Sequence, residues 1–295
     1  MASRADASVL RPALAVLGAG TMGHGIAQVA AMAGYETRLF DILPEALDAA
    51  RDRIEANLRK GIQRGKVTPD ERERVLGALS FTRYLSEAAE EADIVIEAVP
   101  EQLDLKRKIL VACTEAAADH AVLATNTSSL SISHLAHGLP SPERVVGMHF
   151  FNPVHIMALV EIVRGAETSD DTVARAREAA ERMGKTPIVI ADSPGFASSR
   201  LGVALGLEAI RMVEEGVASP EDIDTAMRLG YRHPMGPLKL GDLVGLDVRL
   251  DIARYLYEAL GSPVFEPPAL LERMVAEGRL GKKSGRGFYD WGEDE

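Results

Sequence analysis

Two residues, His149 and Glu161, have the types and positions that acid–base chemistry requires. His149 ends an apolar run in the segment VVGMHFFNPV, and Glu161 lies inside a second apolar run, LVEIV. A carboxylate within an apolar strand must find a partner or remain protonated. Two strands, one ending in a histidine and the other carrying an acid, suit an oriented general base. A lone histidine in an apolar run is more often a core residue, so the prediction depends on the pair.

A glycine-rich segment near the start of the chain has the spacing of a phosphate-binding turn. Gly18, Gly20 and Gly23 follow the apolar run 13–17 and precede an Ala-rich helical run. In such a unit the first glycine permits a tight turn, the second lets a pyrophosphate approach the backbone, and the third lets helix and strand pack closely. The helix then offers its first N–H groups to the phosphates. A purely structural turn is the alternative, because glycine turns are common.

Asp41 decides between these two interpretations. It follows a short predicted strand, 37–40, and lies close to the roughly 20 residues after the first glycine at which an acid binds the adenosine ribose. A carboxylate there accepts a hydrogen bond from the 2′-hydroxyl and repels a 2′-phosphate, which favours NAD over NADP. A helix cap or turn acid is the other interpretation of Asp41. Strand, glycine turn, helix, strand and acid in this order predict a dinucleotide site.

The alternation of short apolar runs with helical segments predicts the fold class of the first 192 residues. Further strands are expected at 80–83, 92–99, 121–125, 144–148, 159–163 and 186–190, and helices at 45–65, 103–117 and 172–183. This order is typical of an α/β protein with a mostly parallel, doubly wound sheet of the Rossmann type. Ligands bind beyond the carboxyl ends of such strands. The polar residues there are Glu97, Glu101, the segment 126–129, His149 and Asn152.

The pattern changes at the segment DSPG, 192–195. No convincing strand follows it, and helices are predicted at 196–215, 220–227, 245–260 and 268–277. We therefore predict an NAD-binding domain over 1–192 and an all-helical domain over 193–295, with the catalytic cleft between them.

The composition excludes several classes of protein. A hydrophobic share of 46% over 295 residues allows a large core, and a net charge of −11 argues against nucleic acid or an anionic membrane as partner. The single cysteine, Cys113, excludes an intrachain disulfide framework. No apolar run reaches the roughly 18 residues of a membrane span. We predict a cytoplasmic protein whose first ten or so residues form a loose tail, and no metal site is expected.

Seven segments, in order, resemble the L-3-hydroxyacyl-CoA dehydrogenase family, and within it the bacterial 3-hydroxybutyryl-CoA dehydrogenases. They are VLGAGTMGHGIAQVAA, VIEAVPE, ATNTSSLSIS, GMHFFNPVHIMALVEIV, DSPGFASSR, SPEDIDTAMRLGYRHPMGPLKLGDLVGLD and GKKSGRGFYDW. The similarity runs from about residue 14 to residue 291. Seven segments in one order are far more specific than a glycine turn alone.

The resemblance implies an oxidoreductase that interconverts a short-chain L-3-hydroxyacyl-CoA and its 3-ketoacyl-CoA with NAD. His149 would take the proton of the 3-hydroxyl as hydride passes to the nicotinamide, Glu161 would orient His149, and Ser128 would hydrogen-bond the reacting oxygen. The implied cofactor contacts are Gly18, Gly20, Thr21, Met22, Gly23, Asp41, Glu101, Lys106, Asn126, Ser128 and Asn152. The implied substrate contacts are Ser128, Asn152, Lys60 and Arg64.

Two features of this sequence leave alternatives open within that resemblance. Ser199 stands where many relatives carry an asparagine near the reacting end of the substrate; a serine also donates and accepts, but it is shorter. The basic segment that contains Lys60 and Arg64 suits either a solvated helix face or a surface for coenzyme A phosphates.

Two alternative functions and one oligomeric state also follow from the sequence and the resemblance. A dehydrogenase of a free hydroxy acid or sugar acid, similar to lambda-crystallin, would share the glycine turn and the helical domain, and a non-catalytic NAD-binding relative is the other alternative. The family implies that the helical domain closes on the substrate and forms a homodimer. The apolar run 201–210 must be buried either within this domain or across the dimer contact.

Overall fold

Eight strands pair into one sheet in the computed structural model, which describes residues 12–292. They are β1 (Ala13–Leu17), β2 (Glu36–Phe40), β3 (Leu79–Thr82), β4 (Ile94–Glu97), β5 (Val122–Thr125), β6 (Val145–Phe150), β7 (Leu159–Arg164) and β8 (Thr186–Ala191). Their order across the sheet is β3-β2-β1-β4-β5-β6-β7-β8. The first six strands thus have the order 3-2-1-4-5-6 of dinucleotide-binding sheets, with the switch point between β1 and β4. The predicted doubly wound α/β class is confirmed.

One pair of neighbouring strands departs from the parallel arrangement. β6 and β7 run antiparallel, while the other described neighbours are parallel. The connection 151–158 contains no helix and is shorter than the dozen or so residues that a parallel crossover requires. A mostly parallel sheet was predicted correctly, but the local reversal was not. Its register sets His149 directly opposite Glu161.

Helices cover both faces of this sheet. They are α1 (Gly23–Met32), α2 (Pro44–Gln63), α3 (Pro69–Gly77), α4 (Leu85–Ala89), α5 (Leu103–Ala116), α6 (Ile132–Ala136) and α7 (Asp170–Arg182), with a 3₁₀ turn at Pro142–Arg144. Three of these, α3, α4 and α6, were not predicted. The start of α3 has a readable signal, because Thr68 and Glu71 form a reciprocal capping box and Pro69 is the first helical residue.

The core between α1 and the sheet explains the apolar residues around the glycine turn. Ile26, Ala27 and Ala30 on α1 are fully buried, as is Val16 on β1. Small alanines let α1 lie close to the sheet, and burying Ile26 contributes about 1.5–3 kcal/mol relative to an exposed side chain. This packing holds the start of α1, and with it the glycine turn, against the end of β1.

The second unit is built from helices. They are α8 (Ser198–Glu214), α9 (Pro220–Gly230), α10 (Pro237–Val244), α11 (Leu246–Leu260) and α12 (Ala269–Ala276), with 3₁₀ turns at Pro263–Phe265 and Lys282–Ser284. Its described residues contain no strand, only isolated bridges near Arg286, so the prediction of a helical second domain is confirmed. α10 was not predicted, although Pro237 marks its first turn.

Asp242 explains the closing segment of the chain. Its fully buried carboxylate accepts hydrogen bonds from the backbone of Phe288 (3.0 Å) and Tyr289 (2.9 Å) and from the indole of Trp291 (3.0 Å). A Cβ at Gly287 would lie 2.1 Å from an oxygen of this carboxylate. The motif GRGFYDW therefore fastens the end of the described chain to α10.

The two compact units divide between Ser193 and Pro194. The roles assigned to the domains 1–192 and 193–295 stay a prediction, as does the cytoplasmic location. The predicted loose tail falls in a part of the chain outside the described residues. Within residues 12–292, the helices are too short or too polar to cross a bilayer, and no cluster of metal-ligating side chains is found.

Candidate active site

The glycine turn after β1 brings backbone atoms to the edge of open space. Gly18 has a φ of +105°, and a Cβ there would lie 2.7 Å from the carbonyl oxygen of Ala98. A Cβ at Gly23 would lie 1.7 Å from the carbonyl oxygen of Gly18, whereas one at Gly20 would meet no described atom within 4 Å. Gly18 and Gly23 are thus required by the fold itself. Gly20 leaves room for a pyrophosphate to reach the backbone.

Asp41 is fixed beside this turn by two backbone N–H groups. One carboxylate oxygen accepts from Ala19 (2.8 Å) and the other from Leu43 (3.0 Å). The side chain lines a cavity of about 530 Å³ together with Gly18, Gly20, Thr21 and Met22. Its apolar wall comes from Phe40, Ile42, Leu43, Leu105 and Ile109. Apolar walls for an adenine, an acid for its ribose and an open glycine turn for its phosphates fit a dinucleotide.

A second cavity, of about 390 Å³, holds most of the other predicted site residues. It is lined by Glu101, Lys106, Asn126, Ser128, His149 and Asn152, with Phe150 and Phe151. Met22, Ala98 and Val99 line both cavities. The two cavities are therefore neighbours, so an extended ligand held at Asp41 can reach His149.

His149 and Glu161 form the pair that the sequence predicted. They stand opposite each other on β6 and β7, and His149 Nδ1 lies 2.8 Å from Glu161 Oε2. Glu161 is fully buried and His149 is 7% exposed. An ionised Glu161 accepts the proton of Nδ1, which places the lone pair of the neutral ring on Nε2. The geometry is that of an oriented general base beside a cavity.

Glu101 organises the loop that carries Ser128. Its Oε1 accepts hydrogen bonds from the Thr127 hydroxyl (2.6 Å), from the Ser128 N–H (2.8 Å) and, at 3.3 Å, from the Ser128 hydroxyl. Burial acts to raise the pKa of Glu101, but the Thr127 hydroxyl, the Lys106 ammonium and the Ser128 N–H together hold that pKa below its ordinary value. Glu101 thus stays an anion that fixes the position of Ser128.

Lys106 forms a buried ion pair with Glu97. Lys106 Nζ donates to both carboxylate oxygens of Glu97, at 2.9 and 3.0 Å, and lies 3.2 Å from Glu101 Oε2. Glu97 is fully buried and Lys106 is 1% exposed. The sequence placed Glu97 at a strand end without giving it a role in the site. Its position inside the apolar run DIVIEAV was the available signal, since a buried acid needs a partner.

Asn126 is buried at the end of β5, whereas Asn152 is exposed to solvent. The side-chain carbonyl of the nearly buried Asn126 accepts the Phe150 N–H at 2.9 Å, which ties the end of β5 to the end of β6. Asn152 is exposed at the rim of the second cavity. Asn126 therefore supports the strand end that presents His149.

The remaining predicted residues lie outside the two cavities. Lys60 and Arg64 are exposed at the end of α2. Both act on His155: burial first, and then the charges of His24, Lys185, Arg64 and Lys60, lower the pKa of His155. Ser199 belongs to the second unit, in the first turn of α8, and its substrate contact stays a prediction.

Known families and relatives match nearly the whole of this chain. Family models match two ranges of the chain: 3-hydroxyacyl-CoA dehydrogenase, NAD binding domain, over 13–193, and 3-hydroxyacyl-CoA dehydrogenase, C-terminal domain, over 195–291. A probable 3-hydroxybutyryl-CoA dehydrogenase of Bacillus subtilis (strain 168) is 47% identical over 278 residues, which are 94% of this chain and 96% of that protein. A 3-hydroxybutyryl-CoA dehydrogenase of Mycobacterium tuberculosis is 46% identical over 94% of this chain and 97% of its own.

A solved structure extends the agreement to three dimensions. The crystal structure of (S)-3-hydroxybutyryl-CoA dehydrogenase from Ralstonia eutropha matches with a TM-score of 0.92 at 40% identity, and covers 96% of this chain and 100% of that chain. The resemblance inferred from seven sequence segments is confirmed by these matches. Because both family models and the relatives span nearly the whole sequence, the chain belongs to the 3-hydroxyacyl-CoA dehydrogenase family.

Proposed function

We propose that this chain is an NAD-dependent dehydrogenase that interconverts a short-chain L-3-hydroxyacyl-CoA, such as 3-hydroxybutyryl-CoA, and the 3-ketoacyl-CoA. The observation that carries the proposal is the His149–Glu161 pair, because its His149 lines the same cavity as Ser128. The neighbouring cavity has the open glycine turn and Asp41. The names of the relatives support the substrate class.

The chain's own residues supply proton transfer and orientation. NAD, when bound, supplies the hydride acceptor. His149 accepts the proton of the 3-hydroxyl at Nε2, and Glu161 stabilises the imidazolium that results. Ser128, fixed by Glu101, hydrogen-bonds the same oxygen. In the reverse direction His149 returns the proton to the oxygen that was the ketone.

The substrate class is tested by comparing the thioester with the free acid. We expect rapid oxidation of NADH with acetoacetyl-CoA and little with acetoacetate. Turnover of the free acid instead would establish the hydroxy-acid alternative, and NADH binding without turnover of either would establish a non-catalytic relative.

Lys60 and Arg64 are proposed to bind the phosphates of coenzyme A. Their support is that both are exposed cations at the end of α2, and neighbouring exposed cations attract a polyanion. Replacing both with alanine is expected to raise KM for acetoacetyl-CoA about tenfold with little change in kcat. Arg59→Ala is the matched control, because Arg59 is an exposed cation of the same helix that pairs with Glu55. An unchanged KM in the double variant would show that Lys60 and Arg64 are solvent-exposed residues of a helix face and do not bind coenzyme A.

Asp41 is proposed to set the preference for NAD over NADP. Asp41→Asn removes the charge that would repel a 2′-phosphate while one side-chain oxygen still accepts the Ala19 N–H. We expect the ratio of kcat/KM for NADH over NADPH to fall about tenfold. Asp48→Asn, an equal charge change on an exposed position of α2, should leave the ratio unchanged. Equal ratios in both variants would contradict the assignment.

The second unit is proposed to form a homodimer. α8 and α10 pack together, and exposed apolar side chains extend over both: Leu201, Leu205, Leu240, Leu243 and Val244. Leu201 alone is 72% exposed. Several exposed apolar side chains on two helices that pack together are typical of a protein–protein contact. We expect light scattering of the full chain to give twice its mass, and a monomer at micromolar concentration would contradict the proposal.

A further inference from the structure

We infer that Glu97 is a positioning residue that sets the net charge beside the nicotinamide end of the cofactor site and thereby favours oxidised NAD⁺ over NADH. The inference extends the proposed function and rests on it. Glu97 does not line either cavity; it acts through Lys106, which does.

The contacts of Glu97 fix Lys106 in one position. Oε1 accepts the Val99 N–H at 2.6 Å, and Oε2 accepts the Thr125 hydroxyl at 2.6 Å. Both oxygens also accept from Lys106 Nζ, which donates further to the Val99 carbonyl at 3.2 Å. Each charge of this buried pair is therefore hydrogen-bonded on several sides, the condition under which a buried pair is stable.

Lys106 is shared between two carboxylates. Glu97 lies behind it and Glu101 lies in front, at the cavity. Two anions and one cation give this group a net charge of −1. Lys106 and Glu101 alone would be neutral, so the charge that remains at the cavity derives from Glu97. Because Glu97 and Lys106 are buried, solvent screens this charge much less than it would at the surface.

The group of Glu97, Lys106 and Glu101 lies at the end of the site where the nicotinamide ring must react. The adenosine end belongs at Asp41, and the hydride must pass close to the oxygen held by His149, which lines the second cavity with Glu101 and Lys106. The nicotinamide ring carries a positive charge when oxidised and none when reduced. A net negative group beside it stabilises the oxidised form selectively, and only such a differential interaction shifts the balance between the two forms.

The test compares the affinities of both nucleotides in variants of defined charge. Glu97→Gln keeps the shape and changes the group from −1 to neutral, so the ratio of Kd for NAD⁺ to Kd for NADH is expected to rise about tenfold. The double variant Glu97→Gln with Lys106→Met restores −1, and its ratio should return towards that of the wild type even if both affinities fall. Thr125→Val is the matched control, because it removes a hydrogen bond to Glu97 without changing charge.

Calorimetry and NADH fluorescence give both constants without turnover. An equal loss of affinity for NAD⁺ and NADH in Glu97→Gln would show a purely structural role and overturn the inference. Where circular dichroism shows that Glu97→Gln does not fold, Glu101→Gln serves instead: Glu101 is the second carboxylate of the group, so this change also brings the group from −1 to neutral, and an unchanged ratio would overturn the inference. A wild type that binds neither nucleotide contradicts the proposed function rather than the role of Glu97.

Discussion

Replacing His149 with glutamine is expected to lower kcat for acetoacetyl-CoA by about 10³- to 10⁴-fold, with NADH binding nearly unchanged. Glutamine fills much of the same space but has no group that takes up and returns a proton near neutral pH. Glu161→Gln should give a loss of similar order. Its amide can donate to Nδ1 and so place the ring proton on Nε2, the nitrogen that must accept the substrate's proton.

Steady-state kinetics and NADH titration of these variants decide the assignment. His120→Gln is the matched control, since His120 also pairs with a carboxylate, Asp93, but is exposed to solvent. Its kcat should equal that of the wild type. If His149→Gln keeps more than about a tenth of the wild-type kcat, a general-base role for His149 is wrong, because such groups contribute at least about 10²-fold.

The glycine turn gives the second large effect, and it separates folding from binding. Gly23→Ala would set a methyl carbon 1.7 Å from the Gly18 carbonyl oxygen. Neither atom can move without displacing α1 from β1, so the free energy of unfolding should fall by about 3 kcal/mol or more. Gly20→Ala has open space around its methyl group and should unfold at nearly the wild-type temperature. The proposed function assigns that space to the pyrophosphate, so the affinity of Gly20→Ala for NADH should fall about tenfold or more.

Thermal unfolding and NADH titration of the two variants provide the measurement. Ser80→Ala, an exposed change on β3, is the control and should keep the wild-type melting temperature and NADH affinity. Equal melting temperatures for Gly23→Ala and the wild type would contradict the close contact at Gly18. If Gly20→Ala binds NADH with the wild-type affinity, the pyrophosphate does not bind at this turn.

Features specified by short stretches of sequence were predicted well. The alternation of strands with helices and the position of Asp41 beside the glycine turn depend on local chain geometry, and the structure has both. The roles of these residues in cofactor binding stay a prediction. The pairing of His149 with Glu161 was predicted because a buried acid requires a partner. Glu97 is also a buried acid that requires a partner. Its partner, Lys106, was not predicted from the sequence, because Lys106 lies on α5 and the helical pattern there gives no sign that its side chain points inward.

Features that depend on contacts between residues far apart in the sequence could not be predicted from it. Nothing near Asn126 in the sequence shows that its side chain accepts the Phe150 N–H. The charges that lower the pKa of His155 come from α1, the end of α2 and the segment before β8, which approach one another only in the fold. Short helices such as α4 and α6 are below the length at which periodicity is informative, because a single turn or so defines no face.

The antiparallel connection between β6 and β7 has a consequence for how this site can vary. Side chains of a strand alternate between faces, so a shift of one residue in the pairing would turn either His149 or Glu161 away from the other. Insertions in the loop 151–158 are tolerable only where they leave that pairing intact. The base and its orienting acid form one contiguous hairpin and do not depend on strands from separate crossovers. A designer who transplants this hairpin into another sheet moves the proton-transfer pair as a single unit.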